Sequence, residues 1–134
     1  MNTVVDLTFK EGMQISAKIR EHEVLTDVPA DHGGADEAQT PFELFFSSMA
    51  CCAGVYAKRF FESKNLSTDG FGIRLVCESD PDQNGMRVSK VNYEVTLPQD
   101  FPEKYEKPLM RTIDQCTVKK QVLNPPEFEV SFLR

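Results

Sequence analysis

Tryptophan is absent, histidine occurs twice, and the four cysteines at 51, 52, 77 and 116 include no Cys-x-x-Cys pair. His22 and His32 are not at ligand spacing either, and adjacent thiols such as Cys51 and Cys52 rarely chelate one zinc together. No metal and no bound cofactor is expected. Positive charge is also short: 15 Lys and Arg stand against 21 Asp and Glu, for a net charge of −6. That balance, with no basic run, argues against nucleic acid or an anionic membrane surface as the main partner. The opening MNTVVDLTFK has no basic segment followed by an apolar core, so no secretory leader is expected. The one long apolar stretch, residues 42–61, is interrupted by Glu43, Ser47, Ser48, Lys58 and Arg59, which tells against a membrane span. A cytoplasmic location follows as the expectation. Thiols stay reduced there, and four cysteines then point to chemistry before a disulfide framework.

That same stretch is the centre of the chain. Thr40 can cap a helix, Pro41 fits its first turn, and Glu43 completes a capping box. At 100° per residue, Phe42, Phe45, Phe46, Met49, Ala53, Tyr56 and Phe60 fall on one broad face, with Leu44, Cys51 and Val55 roughly opposite. The pattern predicts a long helix over residues 40–64, apolar on two sides and covered by protein on most of its surface. No small sheet covers both sides of such a helix, so a homodimer is expected.

A chain of 134 residues suits a single domain, residues 1–134, with a core that needs no disulfide. Val5, Leu7 and Phe9 alternate, Lys10, Glu11 and Gly12 turn, and Met13, Ile15, Ala17 and Ile19 alternate again, which reads as a hairpin. Residues 21–28 offer a third strand. Residues 29–39 read as a solvated, glycine-bearing loop. Beyond the helix, Phe71, Ile73, Leu75 and Cys77 share a strand face, residues 80–85 turn, and Val91, Tyr93, Val95 and Leu97 return. Residues 102–114 read as a helix broken or restarted at Pro108, and residues 116–123 as a further short helix. Phe128, Val130 and Phe132 suggest a last strand. The order indicates α+β with mostly antiparallel pairing.

Cys52 can be read simply as a small buried hydrophobe, as can Cys77 among its strand neighbours. His22 reads as an exposed strand residue. A second thiol beside Cys52, an aromatic wall, and Cys116 at a helix start with Lys119 and Lys120 nearby add a chemical reading. A helix N-terminus and ammonium groups both favour thiolate.

The run Pro41-x-Glu43-Leu44, then Met49-Ala50-Cys51-Cys52, then Cys116-Thr117-Val118 resembles the OsmC/Ohr superfamily of osmotically inducible and organic hydroperoxide resistance proteins. The resemblance extends to element order along essentially the full chain, and matches the superfamily's less characterised branch. It implies an intertwined homodimer in which six-stranded, mostly antiparallel sheets enclose long central helices. It also implies a two-cysteine, thiol-dependent peroxidase for organic hydroperoxides. Register against Pro41 puts the attacking thiol at Cys52 and leaves Cys51 where a small residue is usual. Cys116 takes the resolving position, and an external dithiol or dithiol-bearing protein restores both. Phe42, Phe45, Phe46 and Met49 would wall an apolar substrate pocket.

The chain departs from the family pattern at the groups that hold the thiolate ready. The family's glutamate directly follows the helix-opening proline, and that position is Phe42; Glu43, one later, is the candidate for that role beside its place in the capping box. Arg20, the one arginine before the helix, is the candidate for the arginine, in a context unlike the family's arginine motif. Two other readings of the same dimeric fold stay open: a non-peroxidase thiol function, and binding of an apolar ligand without turnover.

Overall fold

Three strands, one long helix, two strands and two short helices succeed one another in the computed structural model, which describes residues 2–83 and 87–134. All strand pairing is antiparallel, giving an α+β fold. The chain divides into two compact units, Met1–Ser47 and Ser48–Arg134. Among the described residues no helix is long and apolar enough to cross a membrane.

The first unit is a meander of β1 (Asp6–Phe9), β2 (Ile15–Ile19) and β3 (His22–Thr26), with β2 in the middle. Leu7 pairs with Ala17 and Ala17 with Val24, so the period-two pattern survives across all three strands. Gly12 turns the first hairpin at φ +61°, where a side chain would be strained.

Beyond β3, Asp27 takes charge of the next ten residues. Its side chain is shut in at 1 % exposure, yet every lone-pair direction is used. Oδ1 accepts from the N–H of Val28 (2.7 Å) and Ala35 (3.4 Å), and Oδ2 from Glu37 N–H and Gln14 Nε2 (both 3.2 Å). The loop folds so tightly over this carboxylate that a Cβ on Gly34 would lie 2.0 Å from the Val28 carbonyl oxygen. The Val28 N–H does most to hold the Asp27 carboxyl below the usual range; burial opposes it, and Glu37, Gln14 and Ala35 reinforce it. A depressed carboxyl stabilises the fold above its unfolded pKa, near 4, and loses that contribution as pH falls through the lower folded value. Asp27→Asn puts an amide N–H₂ against donors that needed an acceptor. The variant is expected to melt lower at neutral pH, with the difference narrowing below about pH 4, as measured by thermal unfolding across pH.

The loop delivers the chain to α1 (Pro41–Ser63). Its start is the capping box read from the sequence: Thr40 N–H donates to Glu43 Oε1 (2.9 Å) and Glu43 N–H to Thr40 Oγ1 (3.1 Å).

In the second unit, α1 continues with β4 (Gly72–Ser79), β5 (Val88–Thr96), α2 (Glu106–Ile113) and α3 (Thr117–Leu123). Ala53, Ala57 and Phe61, each one turn further along α1, are fully buried against Leu109 and Ile113 of α2. Phe71 and Phe101 close on the Phe61 ring at 4.6 and 5.4 Å between centroids. Pro108 lies in the first turn of α2, where its missing N–H has no helical partner to lose. The expected turn at residues 80–85 is described as far as a 3₁₀ turn at Pro81–Gln83; Asn84 and Gly85 lie outside the described residues.

Two expectations are corrected. The strand expected at Phe128, Val130 and Phe132 is not formed; those side chains are 87–90 % exposed and residues 125–134 have no regular structure. A strand needs a neighbour to take its backbone hydrogen bonds, and none of the described strands of this chain does so. In place of one six-stranded sheet, the described residues form five strands, in a three-stranded and a two-stranded sheet.

Candidate active site

Cys116 closes the gap between α2 and α3. The chain leaves α2 at Ile113, and Cys116 then caps α3, its sulfur accepting the Lys119 N–H at 3.4 Å. Its own S–H donates to the Met49 carbonyl of α1 at 3.7 Å, and the side chain has no exposed surface. This link sets the first residues of α3 beside the middle of α1.

Cys52 lies there, half-buried. Its thiol meets the Cys116 thiol, the backbone N–H groups of Thr117 and Val118, and the Thr117 hydroxyl. The structure therefore brings together, from α1 and the start of α3, the two cysteines singled out by sequence. Burial pushes the Cys52 thiol up, but the Val118 N–H, the neighbouring Cys116 side chain, the Thr117 N–H and the Thr117 hydroxyl together outweigh it, and the thiol ends more acidic than usual.

Cys116 goes the other way. Burial first, and then the neighbouring Cys52 sulfur, raise it, against a smaller pull from the Lys119 N–H. The expectation that Lys119 and Lys120 favour a Cys116 thiolate is thus overturned. Their ammonium groups are engaged elsewhere, Lys119 by the Asp114 carboxylate and Lys120 by Gln115 Oε1 at 3.0 Å. One acidic thiol now faces one thiol held neutral.

Two residues at this junction escaped the sequence reading. Tyr56, one helical turn beyond Cys52 on α1, hydrogen-bonds Thr117 Oγ1 at 2.7 Å, and the Arg59 guanidinium stands 5.9 Å from the Tyr56 ring centre. The four-residue step from Cys52 was the available signal, since such positions share a helix face. Tyr93 on β5 is the second. Its hydroxyl is closed off from solvent and has no hydrogen-bond partner among the described residues. Burial, then the nearby Cys116 and Cys52, keep that phenol protonated.

The remaining candidates separate. A cavity of about 540 Å³ opens beside Met49, Tyr93, Leu109, Ile113 and Val122, with Asp114 and Lys119 also in its wall. Of the four side chains expected to wall a pocket, Met49 alone lines it. Phe42, Phe45 and Phe46 belong to the start of α1 and pack on one another, with centroids 5.2 and 5.1 Å apart. Cys51 is exposed and lines a shallower groove with Gly54, Lys58 and Phe71. Cys77 is half-buried on β4. In the first unit, Glu43 spends its carboxylate on the Thr40 cap, and Arg20 occupies the β2–β3 turn with φ +53°. His22 opens β3 and is exposed.

Comparison with known proteins bears on the family and the fold. The family model described as OsmC-like protein matches residues 33–131. Two crystal structures share the fold. One, from Psychrobacter arcticus 273-4, is described as an osmotic stress induced and detoxification response protein; it is 25 % identical with a TM-score of 0.74, over 87 % of this chain and 85 % of that one. The other is an OsmC-like protein from Mycoplasma pneumoniae, 12 % identical with a TM-score of 0.70, over 92 % of this chain and 88 % of that one. No curated protein sequence matches significantly.

Proposed function

The chain belongs to the OsmC-like protein family, and from that membership and the paired thiols we propose that it is a thiol-dependent peroxidase that reduces organic hydroperoxides. The observation that carries this reading is the meeting of Cys52 and Cys116, with the half-buried partner acidic and the buried partner neutral. That division of labour is what a two-cysteine cycle requires.

In the cycle, the Cys52 thiolate attacks the terminal, hydrogen-bearing oxygen of the hydroperoxide. The O–O bond breaks, its electron pair leaves on the alkoxide, and the alkoxide takes a proton to become the alcohol. Cys52 is now a sulfenic acid. The Cys116 sulfur displaces that oxygen as water, forming a disulfide before further oxidation can occur. Two electrons have passed from two thiols to the peroxide, and an external dithiol or dithiol-bearing protein returns them by exchange. The apolar cavity favours a substrate with a hydrocarbon body.

The working unit in this reading is an intertwined homodimer in the reducing cytoplasm. Support comes from large apolar side chains left in solvent by the single chain, among them Leu7 and Phe9 of β1 and the alternating Phe128, Val130 and Phe132. The last three constitute the sixth strand, formed only when a second copy offers it an edge.

A binding reading draws on a different observation: neither thiol lines the larger cavity. Peroxide consumption decides between the two. With a dithiol reductant in excess, the wild-type protein is expected to consume an alkyl hydroperoxide over many turnovers. Retention of the hydroperoxide without loss would reject the peroxidase and favour the binding protein.

A further inference from the structure

The groups that lower the Cys52 thiol come from the neighbouring Cys116 and the first residues of α3. One of them, the Thr117 hydroxyl, is unlike the rest. A backbone N–H points where the helix puts it, but a hydroxyl rotates, and its single proton goes wherever the surroundings send it. Thr117 is exposed, so water competes for that proton.

Tyr56 removes the freedom. Its oxygen lies 2.7 Å from Thr117 Oγ1. Of the two possible directions, only one leaves Thr117 a proton for sulfur: Tyr56 donates, Thr117 Oγ1 accepts, and the threonine proton turns to Cys52. The phenol is the better donor of the two hydroxyls, and the Arg59 guanidinium over its ring draws electron density from it. The same bond ties α1 to the first residue of α3, at the level where the two thiols meet. We propose that Tyr56 is a positioning residue for Cys52, acting through Thr117 to keep a hydrogen bond on the sulfur that an arginine supplies elsewhere in the family. The inference deepens the peroxidase reading of this site, but its test needs no peroxide.

The other groups in reach of Cys52 are accounted for. Cys116 faces it from the cap of α3 and Tyr93 from β5, and burial raises both, so neither carries charge where Cys52 titrates. Arg59 on α1 stands over the Tyr56 ring and acts through it.

The experiment is the pH dependence of Cys52 alkylation by iodoacetamide, read by peptide mass spectrometry on the reduced protein. It is run in a Cys51→Ala background, so that the exposed neighbour does not contribute. Tyr56→Phe keeps the ring and is expected to raise the midpoint by about 0.5–1 unit, one lost hydrogen bond to the charged sulfur. Thr117→Val raises it by a similar amount, the pair together by no more than either alone, and Thr117→Ser restores it. An unmoved midpoint in Tyr56→Phe overturns the proposal, as does a double variant whose shifts add. Should Tyr56→Phe fold poorly, the comparison of Thr117→Val with Thr117→Ser decides, with equal midpoints again overturning it. A protein that shows these shifts yet consumes no hydroperoxide would keep the positioning role and lose the peroxidase reading. One that consumes hydroperoxide without the shifts would do the reverse.

Discussion

Cys52→Ser is expected to lower hydroperoxide consumption by at least on the order of 10³-fold, since it removes the attacking atom of the cycle. Cys51→Ala is expected to keep most of the activity. The two thiols are adjacent in sequence, but consecutive helical residues point about 100° apart. Cys52 turns toward Thr117, Val118 and Cys116, whereas Cys51 is exposed and lines a separate groove. Nothing in that groove brings a second thiol within reach, so Cys51 cannot take over either half of the cycle. The measurement is initial-rate consumption of an alkyl hydroperoxide with excess dithiol. The wild-type rate should hold on the acid side of the ordinary thiol range, near pH 8.5, because the site favours thiolate. Activity lost with Cys51 and kept without Cys52 would reject the assignment of the attacking sulfur.

The disulfide is the second large effect. One equivalent of alkyl hydroperoxide is expected to convert the reduced protein almost wholly to the Cys52–Cys116 form, which a dithiol reverses. A disulfide needs its Cα atoms within roughly 4.4–6.8 Å, and thiols near enough to shift one another's acidity need no large backbone movement to reach it. In Cys116→Ser the sulfenic acid has no resolving partner. Turnover should stop after a single event, with Cys52 labelled by a sulfenate-reactive dimedone reagent and advancing to sulfinic acid under excess peroxide. Peptide mapping reads every species. If both thiols stay free after the equivalent dose, the two-cysteine cycle is wrong.

How much of this was legible in the residues depends on the range of the interaction involved. The capping box is local, and Thr40 and Glu43 announced it. Strand alternation is also local, so β1 to β5 could be read. The pairing of Cys52 with Cys116 came through a family resemblance, because no periodicity connects positions so far apart in the chain. Asp27 was not singled out within residues 21–28, which read as a strand; what distinguishes it is four donors converging from residues 14 to 37, and only folding assembles those. The two lysines after Cys116 misled for the opposite reason. Sequence shows that they are near, but not that Asp114 and Gln115 hold their ammonium groups or that the sulfur is sealed from water. The final strand failed because alternation records a wish for a neighbour, and none of the described strands supplies one.

The sealing of Cys116 also gives the cycle a direction on its return leg. Once the bond to Cys52 has formed, one of its two sulfurs can be approached from outside and the other cannot. A reductant therefore has to strike Cys52 and stay there as a mixed disulfide while Cys116 departs. A sulfur held as neutral thiol is a reluctant leaving group, and exchange slows as the leaving thiol becomes less acidic. If the proposed cycle operates, the burial that keeps Cys116 protonated slows its recovery step. Under a burst of peroxide the protein would accumulate in the oxidised form, and its steady throughput would follow the supply of dithiol instead of the supply of peroxide.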